Sequence, residues 1–425
     1  MATVAVTGVR APALTGRSLL VLFGALHAGL LAYDLAHPGR FLLADRAGER
    51  IGVINAFRDA ADRVAFIGAH GIPGDWLPQG LLYLAGGQYF VIAVQAALAL
   101  LSILWVRDIA GRAGLGERGA FAAAALYGLL PQTLVFPHQL ATEALFDPLV
   151  ILSFRLAAGT GAGAALGAAT LIRPITIVWP LIVAAVSEKK FAYLAAAFAP
   201  VLGWMLFVLA ATGEFSLGRS SHDLGHNLYE RMQRIASTLP EAERPAKRPP
   251  GETSVRLGEY VAFTARHPVA AALHSARDMA TLGVKSGIER LALDYFDAFP
   301  GTRAALQDSD DGWRAQVERH GFLHAFAAMA ASQPGVILVS AAGAVLFAAF
   351  MALAVAGAWH GRRNALLALL AGFVLYIFVT AQAVDAAQSR HRAPAEFALA
   401  ILAVAGWLHL RPHLRNTRRG TIHGR

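Results

Sequence analysis

The feature that most constrains this chain is the recurrence of apolar runs of about 18 residues or more, the length a helix needs to cross a hydrocarbon core of roughly 30 Å. Such runs lie at 17–36, 88–106, 119–137, 141–158, 191–212, 334–358, 365–384 and 393–410. One soluble core could not absorb them all. Only 15% of the 425 residues are charged, against about 25% in soluble domains. The expected fold is an all-α, polytopic membrane helix bundle with about eight full spans. Gly and Ala are abundant inside the runs, which lets helices approach closely in lipid. No A-x-A cleavage site follows the first run, which therefore reads as a retained span.

A further apolar stretch, Gly163 to Val186, is interrupted by Arg173-Pro174. Pro removes an N–H and disfavours helix at the residue before it, and an Arg at mid-membrane costs roughly 2.5–3.5 kcal/mol on insertion scales. The stretch is either one kinked span or a broken, re-entrant helix pair. Basic residues mark cytoplasmic ends. With Arg10 and Arg17 inside, Arg107, Arg112, Arg118 and Arg155 also fall inside. Lys189, Lys190, Arg362, Arg363 and the tail follow only if 163–187 turns back, so the re-entrant pair is expected. The formal net charge of +9 is assigned to these ends rather than to a nucleic-acid partner. The chain has no cysteine, which excludes disulfides, thiolate catalysis and Cys-zinc sites.

This topology leaves two extracytoplasmic loop segments, about 37–87 and 213–333, with surface helices. In the first, Ile51–Ile67 has helical spacing and either lies along the membrane or packs in a small layer. The second passes a Pro-rich stretch at Pro240–Pro250 and turns amphipathic over Ser254–Leu293. The organisation expected is one transmembrane domain over 1–410 and a basic cytoplasmic tail over 411–425.

Four polar clusters share the extracytoplasmic face in this topology. Asp45-Arg46 follows the first span; its carboxylate suits a general base toward an acceptor hydroxyl, or simply pairs with a neighbouring Arg. Pro137-His138 and Thr142-Glu143 either cap a helix or form the wall of a site. Arg173 pairs with Glu143 or Asp147, or holds a lipid phosphate through two-pronged hydrogen bonds. Gln388, Ser389, Arg390, His391 and Arg392 run against the charge rule and suit phosphate binding, or attraction to anionic head groups. His222 and His226 lie four apart, a possible metal pair without evident further ligands, so no metal is expected.

The order of these motifs resembles the GT-C glycosyltransferases that use polyprenyl-phosphate sugars, in particular bacterial relatives of protein O-mannosyltransferase and lipid A aminoarabinose transferase. ADRAGERIGVI stands where that family has its acidic first-loop motif, and GDWLPQGLLYLAGG resembles its Pro-containing stretch. LLPQTLVFPHQLATEALFDPLVIL looks like its paired-helix segment. GAATLIRPITIVWP resembles its Leu-Thr-Arg-Pro stretch, SSHDLGHNLYERM its Gly-x-Asn-Leu stretch and SRHRAP its late Arg-Tyr-Arg-x-Pro. The likeness runs from about residue 40 to 400. This chain departs in having Asp45-Arg46 where many members have Asp-Glu, leaving Asp34 and Glu49 as substitutes, and His391 in place of Tyr. The resemblance implies an inverting transfer of one sugar from a polyprenyl monophosphate donor, catalysed by the 1–410 domain at the periplasmic face of a bacterial inner membrane. Asp45 would be the base, Arg173, Arg390, His391 and Arg392 would hold the donor phosphate, and Arg46, His138, Glu143, His222 and Asn227 would bind substrate or tune the base. The acceptor could be glycan, lipid or protein, and a divalent metal is possible but not predicted. The rivals are a lipid or glycan transporter or flippase, and an O-antigen ligase or polymerase using a pyrophosphate-linked glycan.

Overall fold

The structure, a computed structural model, describes residues 15–43, 47–70, 72–157, 159–217, 220–245, 254–288, 290–298, 320–381 and 389–420. Among these, every regular element is helical. The chain opens with α1 (Gly16–Ala36), then α2 (Ala47–Asp59) and α3 (Arg63–Ala69), then the long α4 (Pro73–Arg112). α5 (Gly116–Gly128), α6 (Pro131–Val135) and α7 (Glu143–Arg155) follow, and then α8 (Thr160–Ile172), α9 (Trp179–Val186) and α10 (Lys190–Thr212). The segment 213–333 supplies α11 (Ser220–Ala236), α12 (Leu257–Arg266), α13 (Pro268–Val284) and α14 (Phe322–Ser332). α15 (Pro334–His360), α16 (Ala365–Ala381) and α17 (Glu396–Gly420) complete the chain. α17 carries the helix through the start of the expected tail.

Five described helices are long and apolar enough to cross a membrane: α1, α4, α10, α15 and the Arg390–Arg411 stretch of the last helix. This identifies a membrane protein and corrects the expected eight spans. Backbone breaks account for two of the other three runs, and the third is described only as far as Ala381. The run at 119–137 bends by 64° between α5 and Pro131–His138, because Pro131 opens a new helix. The run at 141–158 yields only the 13-residue α7, with Pro148 inside it, or about 20 Å at 1.5 Å per residue. The last, α16, has 17 residues.

Small residues set how the helices pack. Gly163 and Gly167 of α8 face the backbone of α10 at Tyr193 and Ala197, where a Cβ would collide. Gly357 and Gly406 do the same at the α15–α17 crossing, against Leu402 and Leu353. α17 runs through the middle, with 72% of its most apolar window buried; α10 and α15, at 17%, turn most of theirs outward. α4 is broken at Gly86 and Gly87, the latter at φ +72°, a backbone that favours glycine. The second half thus begins at residue 88, where the sequence expects the span.

The two segments between the spans, 37–87 and 213–333, each form packed helices. The expected helix at 51–67 is two helices, because Asp62 caps α3 by accepting from the N–H groups of Val64 and Ala65 at 3.0 Å each. Ile54 is fully buried, and Phe57, Phe66 and Trp76 form an aromatic contact with the start of α4. In the second segment Leu228, Tyr229, Met232 and Val255 form a small core. Buried Arg231 ties α11 to α12 and α13 by donating to Tyr260 (2.8 Å), Ser275 (2.8 Å) and Asp278 (3.2 Å).

Candidate functional site

The site forms around the break after α8. Pro174 disfavours helix at Arg173, whose backbone is extended at φ −141° and ψ 114°. Its guanidinium leaves the helix axis and donates from Nη1 to Glu143 Oε1 at 2.6 Å. Of the two acids open to it by sequence, Glu143 is the partner and Asp147 lies one turn further along α7. Thr142 donates to the other oxygen, Glu143 Oε2, at 3.2 Å. Arg173 Nη2 meets His391 Nδ1 at 3.4 Å. Close approach of Gly74 to the Ile172 backbone locks the start of α4 against the end of α8, fixing where Arg173 emerges.

Further cations surround this pair. The charges of Arg390 and Arg50 act on Glu143, and those of Arg173, Arg390 and Arg290 act on His391. Arg50 comes from α2 and is oriented by Asp75, which accepts at 3.2 and 3.0 Å, and by the Leu140 carbonyl at 3.1 Å. Arg290 lies over the Phe136 ring at 5.7 Å. Four arginines from widely separated segments therefore lie within electrostatic range of one buried carboxylate or its neighbouring His391. His391 is 1% exposed, and its Nε2 has no hydrogen-bond partner among the described residues.

A second buried network stands beside it. Asp34, at the end of α1, accepts from Tyr295 Oη at 2.5 Å and pairs with His138 Nδ1 at 2.6 Å. His138 Nε2 meets His27 Nδ1 at 3.0 Å, with the rings stacked 5.2 Å apart. Burial, and then the hydrogen bond to the Asp34 carboxylate, push the Tyr295 phenol well above its ordinary range. A third polar seam runs along α4. With its amide oriented to donate to the Pro137 and Gln139 carbonyls at 3.0 Å, Gln95 accepts from Gln79 at 2.5 Å. Gln79 also donates to the Ala141 carbonyl at 2.7 Å. The irregular backbone at 136–141 is held from both sides, as non-helical backbone at membrane depth requires.

The sequence-expected residues divide accordingly. The structure brings Arg173, Glu143, Arg390 and His391 together. His138 belongs to the Asp34 network instead. Asp34, a substitute base by sequence, is 2% exposed with both oxygens engaged, so it does not face an acceptor. Glu49 is exposed in the first turn of α2. Asn227 is half-buried on α11. Asp45, Arg46, Gln388 and the His222 side chain lie outside the described residues.

Arg392, grouped by sequence with the phosphate ligands, is placed elsewhere. It is fully buried and binds Glu396 from Nε (3.3 Å) and Nη2 (3.1 Å). From Nη1 it donates to the carbonyls of Leu282 and of Lys285 (2.6 Å for the latter), and it lies 3.8 Å over the Phe347 ring. It joins the end of α13 to α15 and α17. Arg50, Arg290, His27 and Tyr295 were not singled out by sequence reasoning. Arg50 falls inside the ADRAGER motif, but nothing in local spacing marks the others.

Among the described residues no three His, Asp or Glu side chains converge as metal ligands. No family model, no curated protein and no solved structure matches the chain. The chemistry of the site is therefore argued from its own geometry.

Proposed function

We propose that the chain is a membrane glycosyltransferase that uses a polyprenyl monophosphate sugar, as the resemblance to GT-C enzymes implies. The observation that carries this is the convergence of the charges of Arg173, Arg390, Arg50 and Arg290 on Glu143 and His391 at a membrane helix break. Guanidinium binds phosphate oxygens in pairs, and a lipid-borne phosphate reaches this depth without leaving the bilayer. In the reaction proposed, an acceptor hydroxyl oxygen attacks the anomeric carbon as the bond to the phosphate oxygen breaks. The electron pair leaves with the polyprenyl phosphate, and the acceptor proton passes to a carboxylate, for which Asp45 is the candidate. Arg173 and Arg390 stabilise charge growing on the leaving phosphate; Arg50 and Arg290 extend the positive field. Glu143 holds the Arg173 fork in place between turnovers.

The second reading, a lipid or glycan transporter, is favoured by the breaks in α4 and after α8, since broken helices build transport sites. Incubating the purified chain in detergent with a panel of polyprenyl monophosphate sugars separates the two, because detergent solution has no two sides. Formation of a glycosylated acceptor supports transfer. With Arg173→Ala the rate should fall about 10²–10³-fold, the effect of removing one donor to developing charge, and Arg173→Lys should recover part of it. Donor binding without product by the wild type, across acceptors, would favour transport.

A further inference from the structure

The opposite end of α7 carries a second basic site that the transferase reading does not use. From Glu143 to Arg155 is about 18 Å at 1.5 Å per residue, so Arg155 lies far from the Arg173 cluster. There the ends of α4 and α7 and the start of α5 form a wide-open cavity of about 750 Å³, lined by Arg107, Arg112, Arg155, Asp108 and Glu117. The distribution of basic residues assigns this end to the cytoplasmic side.

The three arginines are held differently. Arg112 donates to the Phe154 carbonyl at 2.8 Å, closing the last turn of α7. Arg155 donates to Asp108 at 3.1 Å and lies 5.9 Å over the Trp105 ring. Arg107 lies 3.8 Å from Glu117, and its Nε is buried with no hydrogen-bond partner among the described residues. Two acids against three arginines leave one surplus positive charge, beside an inward N–H without an acceptor. Asp108 and Glu117 are 46% and 65% exposed, so their hold on the arginines is weakened by water. The floor is apolar at Ala120 and Leu156. Basic pockets between membrane helices on the cytoplasmic side suit phospholipid head groups.

We propose that this cavity binds the phosphodiester head group of an anionic membrane phospholipid, with Arg107 and Arg155 as its ligands and Arg112 as the fixed wall. The site is independent of the transferase chemistry. It gives the cytoplasmic ends of α4, α5 and α7 a shared lipid contact.

The test uses the full chain in a neutral detergent, titrated with short-chain phosphatidylglycerol, short-chain phosphatidylcholine, or glycerol phosphate, with bound adducts read by native mass spectrometry. Phosphatidylglycerol should bind more tightly than phosphatidylcholine. The Arg107→Gln/Arg155→Gln double variant should lose about thirtyfold in affinity, two charges at the energy a basic residue brings near an anionic surface. The control pair Arg362→Gln/Arg363→Gln should bind as the wild type does. Should the double variant not fold, salt dependence of wild-type binding decides, since affinity must fall as screening shortens. Equal affinity in wild type and folded double variant overturns the proposal. So does phosphatidylcholine binding as well as phosphatidylglycerol, or binding that ignores salt. Glycerol phosphate binding as tightly as the lipid would also overturn it, by showing a site for soluble phosphate.

Discussion

The two buried polar networks, around Asp34 and around Arg173, use the same residue types and differ in charge balance. In the Asp34 network one carboxylate faces one phenol and one imidazole, and both its oxygens are engaged. In the Arg173 network the carboxylate of Glu143 and the ring of His391 face the charges of Arg173, Arg390, Arg50 and Arg290. Uncompensated charge in a low-dielectric interior is costly. The first network holds helices together, while the second gathers the positive field of four arginines at one place, as the proposed phosphate site requires. Arg392 belongs with the first kind although its neighbours Arg390 and His391 belong with the second. Its guanidinium meets Glu396 and two carbonyls within the protein.

The comparison breaks most sharply at the buried charged pairs of the balanced kind. Asp34→Ala removes the acceptor shared by Tyr295 and His138, and Arg392→Ala leaves Glu396 buried without its partner. Breaking a buried pair costs about 3–5 kcal/mol, and each variant should lose stability on that scale in denaturant unfolding in detergent. Donor affinity per folded molecule should hold. A variant that folds normally and fails only in donor binding would move that residue into the anion site. Arg390→Ala should show the reverse pattern: a near-unchanged unfolding midpoint, weaker binding of a polyprenyl phosphate, and transfer slowed by about 10²-fold if it is one of the phosphate donors. Titrating polyprenyl phosphate against the Arg390 and Arg392 variants in one detergent measures the split directly.

How much of this was legible in the sequence follows from what each feature depends on. Long apolar runs are a local property, so α1, α10, α15 and the last span stand where the sequence puts them. The count of eight fails because hydropathy ignores backbone breaks: Pro131 turns a continuous run by 64°, and α7 stops after 13 residues. The Arg173-Pro174 interruption was legible because Pro acts on the residue before it. The partner of Arg173 was legible only as a choice among Glu143, Asp147 and a lipid phosphate, and the fold selects Glu143 within the protein. What joined Asp34 to Tyr295, 261 residues away, was not legible. No local pattern encodes a contact set by how the second long segment folds back on α1. The fate of Arg392 was missed for the same reason, because its partners include carbonyls 110 and 107 residues earlier.

The gentlest probe of the balanced network is Tyr295→Phe, which keeps the ring and deletes one hydroxyl. Several contacts tie this part of the second segment to the end of α1, among them three polar ones. Tyr295 Oη donates to Asp34, Tyr33 Oη donates to the Phe296 carbonyl at 3.3 Å, and Arg40 lies 3.9 Å from Asp297. The variant removes only the first, and a hydrogen bond to a charged group contributes about 1.5–3 kcal/mol. Asp34 keeps His138, so the carboxylate is not stranded and the loss should sit toward the lower end. The phenol is shifted upward by burial and by Asp34, so its contribution is fully present below the unfolded phenol value of about 10. It is lost as pH climbs above that, because the unfolded chain then ionises while the folded phenol does not. Unfolding of wild type and Tyr295→Phe, compared from neutral pH upward, should give a constant difference below about pH 10 that narrows above it. Hydrogen exchange at 290–295 should rise in the variant while exchange around Arg173 stays as it was. Faster exchange at both places would show that the two networks are one, and the contrast between them would fall.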